Sequence, residues 1–300
     1  MRQAFFITMW SLLRLIRPKQ WLKNVFVLFP LGFSQELLSV DSILLSLAGF
    51  AVFSLVASTC YVINDWCDIR ADRAHPEKLN RPLASGAVSK PQAAIMILIM
   101  LVATAGIMVG IDANWLLVAT MGFYALQSVA YSLGLKHVPI LELFIVANGY
   151  VLRVMAGCYV LGVEPSGWII SASATLALLM ITGKRRVDVV NNANADRFRL
   201  VLRRYTVELM DQIITICATI TIMAYMLFTI SPYAVDRYGD RPLIFTSVFV
   251  SFGVIRYLYL INTERKVSDP TELVIKDKPL LLCGLIWALT LFGLIYLPGL

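Results

Sequence analysis

Nine stretches of this 300-residue chain are apolar for long enough, or nearly long enough, to cross a lipid bilayer, which excludes most other architectures. They fall near residues 21–40, 43–63, 91–110, 114–133, 138–161, 166–183, 209–231, 242–262 and 279–298. With 59% hydrophobic and only 15% charged residues, the chain carries more apolar surface than a water-soluble domain can bury, so lipid must be its solvent. The expected fold class is all-α, a polytopic membrane bundle of about nine helices. Such a bundle is one packing unit, and a single domain over 1–300 is predicted.

The distribution of charge tests that count. Lys and Arg accumulate in cytoplasmic segments of membrane proteins. With nine spans and the N-terminus inside, 22 of the 26 basic residues lie on the cytoplasmic side. Outside loops receive only Arg237 and Arg241, while Arg153 and Arg256 fall within spans. The net charge of +7 is therefore a matter of topology, and with no soluble basic face or aromatic platform a nucleic-acid partner is not expected. No small-residue cleavage site follows the basic N-terminal stretch, which reads as retained and not as a cleaved signal. Cys60, Cys67, Cys158, Cys217 and Cys283 lack metal-ligand spacing and are expected to be packing residues.

Where the second span ends, the chain reads Asn64-Asp65-Trp66-Cys67-Asp68-Ile69-Arg70-Ala71-Asp72. Carboxylates at i, i+3 and i+7 fall on one helical face, so Asp65, Asp68 and Asp72 are predicted to converge on a divalent cation at the cytoplasmic surface. Arg73, Lys78 and Arg81 follow and are candidates for the phosphate charge that such a cation would bridge. The plainer alternative is a solvated helix end with local ion pairs.

Two further constellations are polar where polarity is costly. Lys23 and Asn24 sit at the entrance of the first span, deeper than Lys19, and are read as phosphate or donor contacts. Tyr131, Ser132 and Lys136 precede the fifth span, which carries Glu142, Asn148 and Arg153. Lys136 is a candidate for an acceptor phosphate. Glu142 and Arg153 are 11 residues apart, about three helical turns, so they should not pair with each other, and Arg153 must find another partner. His75 is expected to be a loop residue near phosphate and His137 an interfacial one.

The NDWCDIRAD segment matches the NDxxDxxxD signature of the UbiA superfamily of intramembrane prenyltransferases, and the following HPEKLNRPLASG resembles its continuation. That resemblance covers most of the chain. It implies a UbiA-type bundle around a membrane-open cavity, with Mg2+ held at Asp65, Asp68 and Asp72 and Asn64 beside them. The superfamily normally carries a second acidic motif after the sixth helix. Here the chain reads Gly183-Lys184-Arg185-Arg186-Val187-Asp188, with the next carboxylate only at Asp196. Lys184 and Asp188 are one helical turn apart, and Lys184 and Arg185 are candidate phosphate donors.

This basic replacement, with Arg17-Pro18-Lys19-Gln20-Trp21-Leu22-Lys23-Asn24 and Asp269-Pro270-Thr271-Glu272-Leu273, resembles one branch, the decaprenyl-phosphate phosphoribosyltransferases. The resemblance implies transfer of 5-phosphoribose from phosphoribosyl pyrophosphate to a polyprenyl phosphate in the plasma membrane, for a cell-envelope polysaccharide precursor. The diphosphate would sit at the acidic cluster and the 5-phosphate at Lys184 and Arg185. Chain length of the lipid and oligomeric state stay open, and a homo-oligomer is compatible with the pattern. Competing expectations are a prenyltransferase using a prenyl diphosphate and an aromatic acceptor, and a lipid-phosphate transporter.

Overall fold

The structure is a computed structural model that describes residues 2–74, 76, 78–191, 200–263 and 276–297, with side chains described from residue 9 onward and not for 191 and 200. Every regular element among them is helical. The chain forms two compact units, Met1–Lys136 with Leu152–Glu164, and His137–Val151 with Pro165–Leu300.

In the first unit, α1 (Arg2–Leu15) leads into a 3-10 helix over Pro18–Leu28 and the short α2 (Phe29–Phe33). Then come α3 (Val40–Cys67), α4 (Ile69–Arg73), α5 (Lys90–Gly110) and α6 (Trp115–Leu133). Helix α7 (Leu141–Val160) contributes its first half to the second unit and its second half to the first. The second unit continues with α8 (Gly167–Asn191), α9 (Val207–Thr229), α10 (Pro232–Tyr238), α11 (Ser247–Thr263) and α12 (Lys278–Tyr296).

Among the described residues eight helical segments are long and apolar enough to cross a membrane, and they match eight of the nine expected runs. The remaining run, 21–40, is not one α-helix. Pro30 lacks the amide that would continue the i→i−4 ladder, and the chain before it winds as a 3-10 helix. At roughly 2.0 Å per 3-10 residue and 1.5 Å per α residue, Pro18–Phe33 has a contour of about 30 Å, the thickness of a hydrocarbon core.

Local chemistry sets the boundaries. Helix α5 opens on a capping box, in which the Ser89 hydroxyl accepts from the Gln92 amide and the Gln92 side chain accepts from the Ser89 amide. The Asn114 side chain caps α6 and also donates to the Tyr159 carbonyl at 2.8 Å, which ties α6 to α7. The core of the first unit gathers Val27, Val52, Phe53, Val56, Leu117, Met121, Tyr124, Leu152 and Ala156. Gly157 is required there, because a Cβ would collide with the Val27 carbonyl oxygen where the 3-10 segment crosses α7.

The second unit packs Leu143, Ala147, Leu179, Met210, Ile214, Tyr257 and Leu260 into its own core. Gly183 serves close approach again: the Tyr257 phenol presses against its backbone and donates to the Met180 carbonyl at 3.3 Å.

Candidate functional site: carboxylates held by cations

Helix α3 runs past the expected end of its span, so Asn64 and Asp65 lie in its last turn. The helix yields at Asp68 (φ −89°, ψ 5°), and α4 resumes at once, the Asp72 amide bonding the Asp68 carbonyl at 2.8 Å. Asp65 and Asp72 are each only 2% exposed. Carboxylates this buried demand partners.

Those partners are cations of the same unit. Arg81, in the loop after α4, places one Nη1 atom 3.0 Å from Asp65 and 2.8 Å from Asp72. Arg17 adds its Nη2 to Asp65 at 2.5 Å, and its guanidinium lies over the Tyr61 ring, 5.2 Å from the centroid. Asp68 turns to Lys136, whose ammonium sits 3.0 Å from both carboxylate oxygens. The i, i+3, i+7 spacing therefore brings Asp65 and Asp72 together but not Asp68. The break at Asp68 and the pull of Lys136 direct the middle carboxylate elsewhere. Among the described residues no three Asp, Glu, His or Cys side chains gather closely enough to hold a metal.

Asp65 and Asp72 nevertheless fit a hard divalent cation. Both are oxygen donors, and both contact a single nitrogen atom of Arg81, so one ion could replace that nitrogen between them. Asp68 would join only after leaving Lys136.

The pairing of Arg17 has no signature in the sequence, where this residue appears only in the Arg17–Asn24 segment. Its guanidinium reaches across 48 positions to the core of the cluster. Its backbone is left-handed (φ 53°, ψ 61°), uncommon for a non-glycine residue. Of the remaining candidates, Asn64, Lys23, Lys78 and Tyr131 are half-buried. Arg73 turns away from the carboxylates, its Nε donating to the Ala84 carbonyl at 2.9 Å.

Asn24, a candidate substrate contact, is engaged by protein. It is 1% exposed, its amide donates to the Ser54 hydroxyl at 2.9 Å, and its carbonyl accepts from Arg153 Nε at 2.8 Å. Arg153 completes its surroundings with the faces of Phe53 and Tyr124, at 4.8 and 5.3 Å from the ring centroids. Asn24 is thus one partner of Arg153, with the Tyr124 hydroxyl another at 3.4 Å, and it lies inside the core.

In the second unit Arg185, a candidate phosphate donor, is engaged by protein. Its guanidinium forks onto Glu142 at 2.7 and 2.9 Å, with both residues buried, and a longer contact of 3.4 Å reaches Asp188. The planar fork is satisfied by protein. Arg186 pairs with Asp211 and the Ile261 carbonyl. Lys184 is half-buried. Tyr205 accepts the Ile140 amide at 2.8 Å beside this group, and burial raises its phenol above the usual range. His75, Asp196 and the 269–273 motif lie outside the described residues.

Comparison with known proteins identifies the family and the fold. The model of the UbiA prenyltransferase family matches residues 25–275. A decaprenyl-phosphate phosphoribosyltransferase of Corynebacterium glutamicum is 30% identical over 96% of this chain and 87% of its own length. One from Mycolicibacterium smegmatis is 31% identical over 95% of this chain and 92% of its own. A solved UbiA homolog from Archaeoglobus fulgidus, bound to DMAPP and Mg2+, superposes with a TM-score of 0.68 at 18% identity, covering 96% of this chain and 99% of that one. The family match crosses both compact units and takes in the whole acidic cluster, and the chain belongs to the UbiA prenyltransferase family.

Proposed function

We propose that the chain transfers 5-phosphoribose from phosphoribosyl pyrophosphate to a polyprenyl phosphate, releasing pyrophosphate, at the cytoplasmic face of the plasma membrane. The observation that carries this reading is the near full-length similarity, at 30–31% identity, to two proteins named decaprenyl-phosphate phosphoribosyltransferase. The site supports it: carboxylates and cations occur together, as a substrate bearing both a metal-bound diphosphate and further phosphate charge requires.

Asp65 and Asp72 would hold Mg2+, the ion present in the archaeal homolog, with Asp68 a further candidate ligand. When bound, the ion supplies positive charge to the diphosphate. Arg17 and Arg81, released from the carboxylates, turn to phosphate oxygens, and Lys136 receives the acceptor phosphate. In the second unit Lys184 keeps a phosphate-binding role, and Arg185 braces the helix that carries it. The bond from ribose C1 to pyrophosphate oxygen breaks with its electron pair leaving on pyrophosphate. A bond from C1 to an acceptor phosphate oxygen forms. The acceptor oxygen is already ionised near neutral pH, so no general base is needed, and stabilisation of charge on the leaving group carries the rate.

The test is incubation of purified protein with labelled phosphoribosyl pyrophosphate, Mg2+ and decaprenyl phosphate. Lipid-linked phosphoribose that disappears in Asp65→Asn is expected. Labelled lipid formed only from a prenyl diphosphate and an aromatic acceptor would overturn the reading in favour of ordinary prenyl transfer.

A further inference from the structure

A basic groove is lined by residues that flank the acidic cluster in sequence. Its volume is about 700 Å³, and its walls come from the end of α3, from α4 and from the start of α5. Arg70, Arg73 and Lys90 line it together with Trp66, Leu83 and Val88, and among the described residues no carboxylate does. Arg70 and Arg73 are i and i+3 on α4, so they share a face, whereas Asp72 points into the protein. None of the three cations forms an ion pair among the described residues.

The groove is shaped by contacts of its own. The bond from Arg73 Nε to the Ala84 carbonyl fixes one wall, and Lys90 lies over the Trp66 ring, 6.0 Å from its centroid. The buried Leu83 and Val88 give it an apolar floor. Both α3 and α5 are membrane-length helices, so the groove opens where they reach the membrane surface. From its rim, α5 presents the exposed side chains Ile95, Leu98, Ile99 and Val102, an apolar track that runs into the bilayer.

We propose that this groove binds the phosphate headgroup of an anionic membrane phospholipid, with Arg70, Arg73 and Lys90 around the phosphate and the acyl chains along α5. Three clustered cations beside a membrane-length helix favour an anionic over a zwitterionic headgroup, because the choline charge of the latter would meet the same cations. The exposed α5 track favours a lipid over free phosphate, which has no use for an apolar surface. This site is independent of the proposed transfer reaction.

Native mass spectrometry of the full chain in detergent provides the test, with phosphatidylglycerol, phosphatidylcholine and inorganic phosphate as probes. Retention of phosphatidylglycerol in preference to phosphatidylcholine is expected, weakened about tenfold or more in the Arg70→Gln, Lys90→Gln double variant. Both substituted residues are exposed, and an unchanged melting temperature in detergent would show that the double variant is folded. If it does not fold, Arg70→Gln alone should still weaken retention. Equal retention of the two lipids, undiminished binding in the folded variant, or displacement of phosphatidylglycerol by inorganic phosphate at equal concentration would each overturn the proposal.

Discussion

At the level of single residues, the proposed function requires an exchange of partners. Arg81 joins Asp65 to Asp72 through one nitrogen, and on that proposal a divalent ion takes its place. Asp65→Asn should therefore lower transfer about 100-fold or more, measured as lipid-linked phosphoribose, because it removes both an ion ligand and the anchor of two arginines. Arg17→Ala should cost about 10- to 100-fold, the worth of a charge-assisted hydrogen bond, and Arg17→Lys should recover only part of it because an ammonium cannot both reach Asp65 and lie flat over the Tyr61 ring. Glu142 sits apart from this chemistry. Glu142→Leu leaves the Arg185 guanidinium buried without its partner and should destabilise the protein by about 3–5 kcal/mol, read as a lower melting temperature in detergent. The double variant Glu142→Leu, Arg185→Met should regain much of that loss.

At the level of elements, helix starts and long spans were legible in the sequence, and irregular segments were not. Apolar runs of membrane length announce α3, α5 and α12 directly, since lipid tolerates so few alternatives. The winding of Pro18–Leu28 as a 3-10 helix has no such signature, because the same side chains suit either helix; Pro30 marks only where a continuous α-helix is interrupted, and Val27 of this segment packs closely on Gly157. Gly157→Leu should disrupt folding, seen as loss of monodisperse protein after solubilisation, because the carbonyl it would strike is backbone and cannot rotate away. Local order along the chain revealed the acidic cluster and offered Arg81, nine positions after Asp72, as a phosphate contact; its pairing with Asp65 and Asp72 came from the structure. Pairings such as Arg17 with Asp65, or Arg185 with Glu142, join residues more than 40 positions apart, and no spacing rule reaches that far. Asp277 illustrates the simpler case. It caps α12, and hydrogen bonds from Arg256 hold its carboxyl below the usual range. With the folded value depressed, its contribution is complete above the unfolded carboxyl pKa, about 3.9, and fades only as pH falls through the lower folded value. Asp277→Asn should thus leave stability near pH 7 reduced but remove this pH dependence.

For the molecule as a whole, the charge asymmetry that assigned 22 of 26 basic residues to one side makes orientation testable. Cys67 is exposed beside the acidic cluster, whereas Cys60, Cys158 and Cys217 are buried. A membrane-impermeant maleimide should label Cys67 in inside-out vesicles and not in intact cells. The reverse result would put the acidic cluster outside, where the proposed donor is not made. The two compact units share α7 as a continuous helix, and the single family match spans both, so shortened chains containing either unit alone are expected to lack transfer activity.

The left-handed backbone at Arg17 has one more consequence. A non-glycine residue held at φ 53° costs of order 1–3 kcal/mol, and the ion pair with Asp65 lies on the same residue that turns the chain from α1 into the 3-10 helix. Position 17 is in effect a latch, closed by electrostatics and sprung by backbone conformation. Neutralising Asp65 should open it. Amide hydrogen exchange over residues 16–20 should then quicken in Asp65→Asn while exchange within α6 stays as it was, so that the state of the anionic pocket can be read at the N-terminal joint without any substrate present.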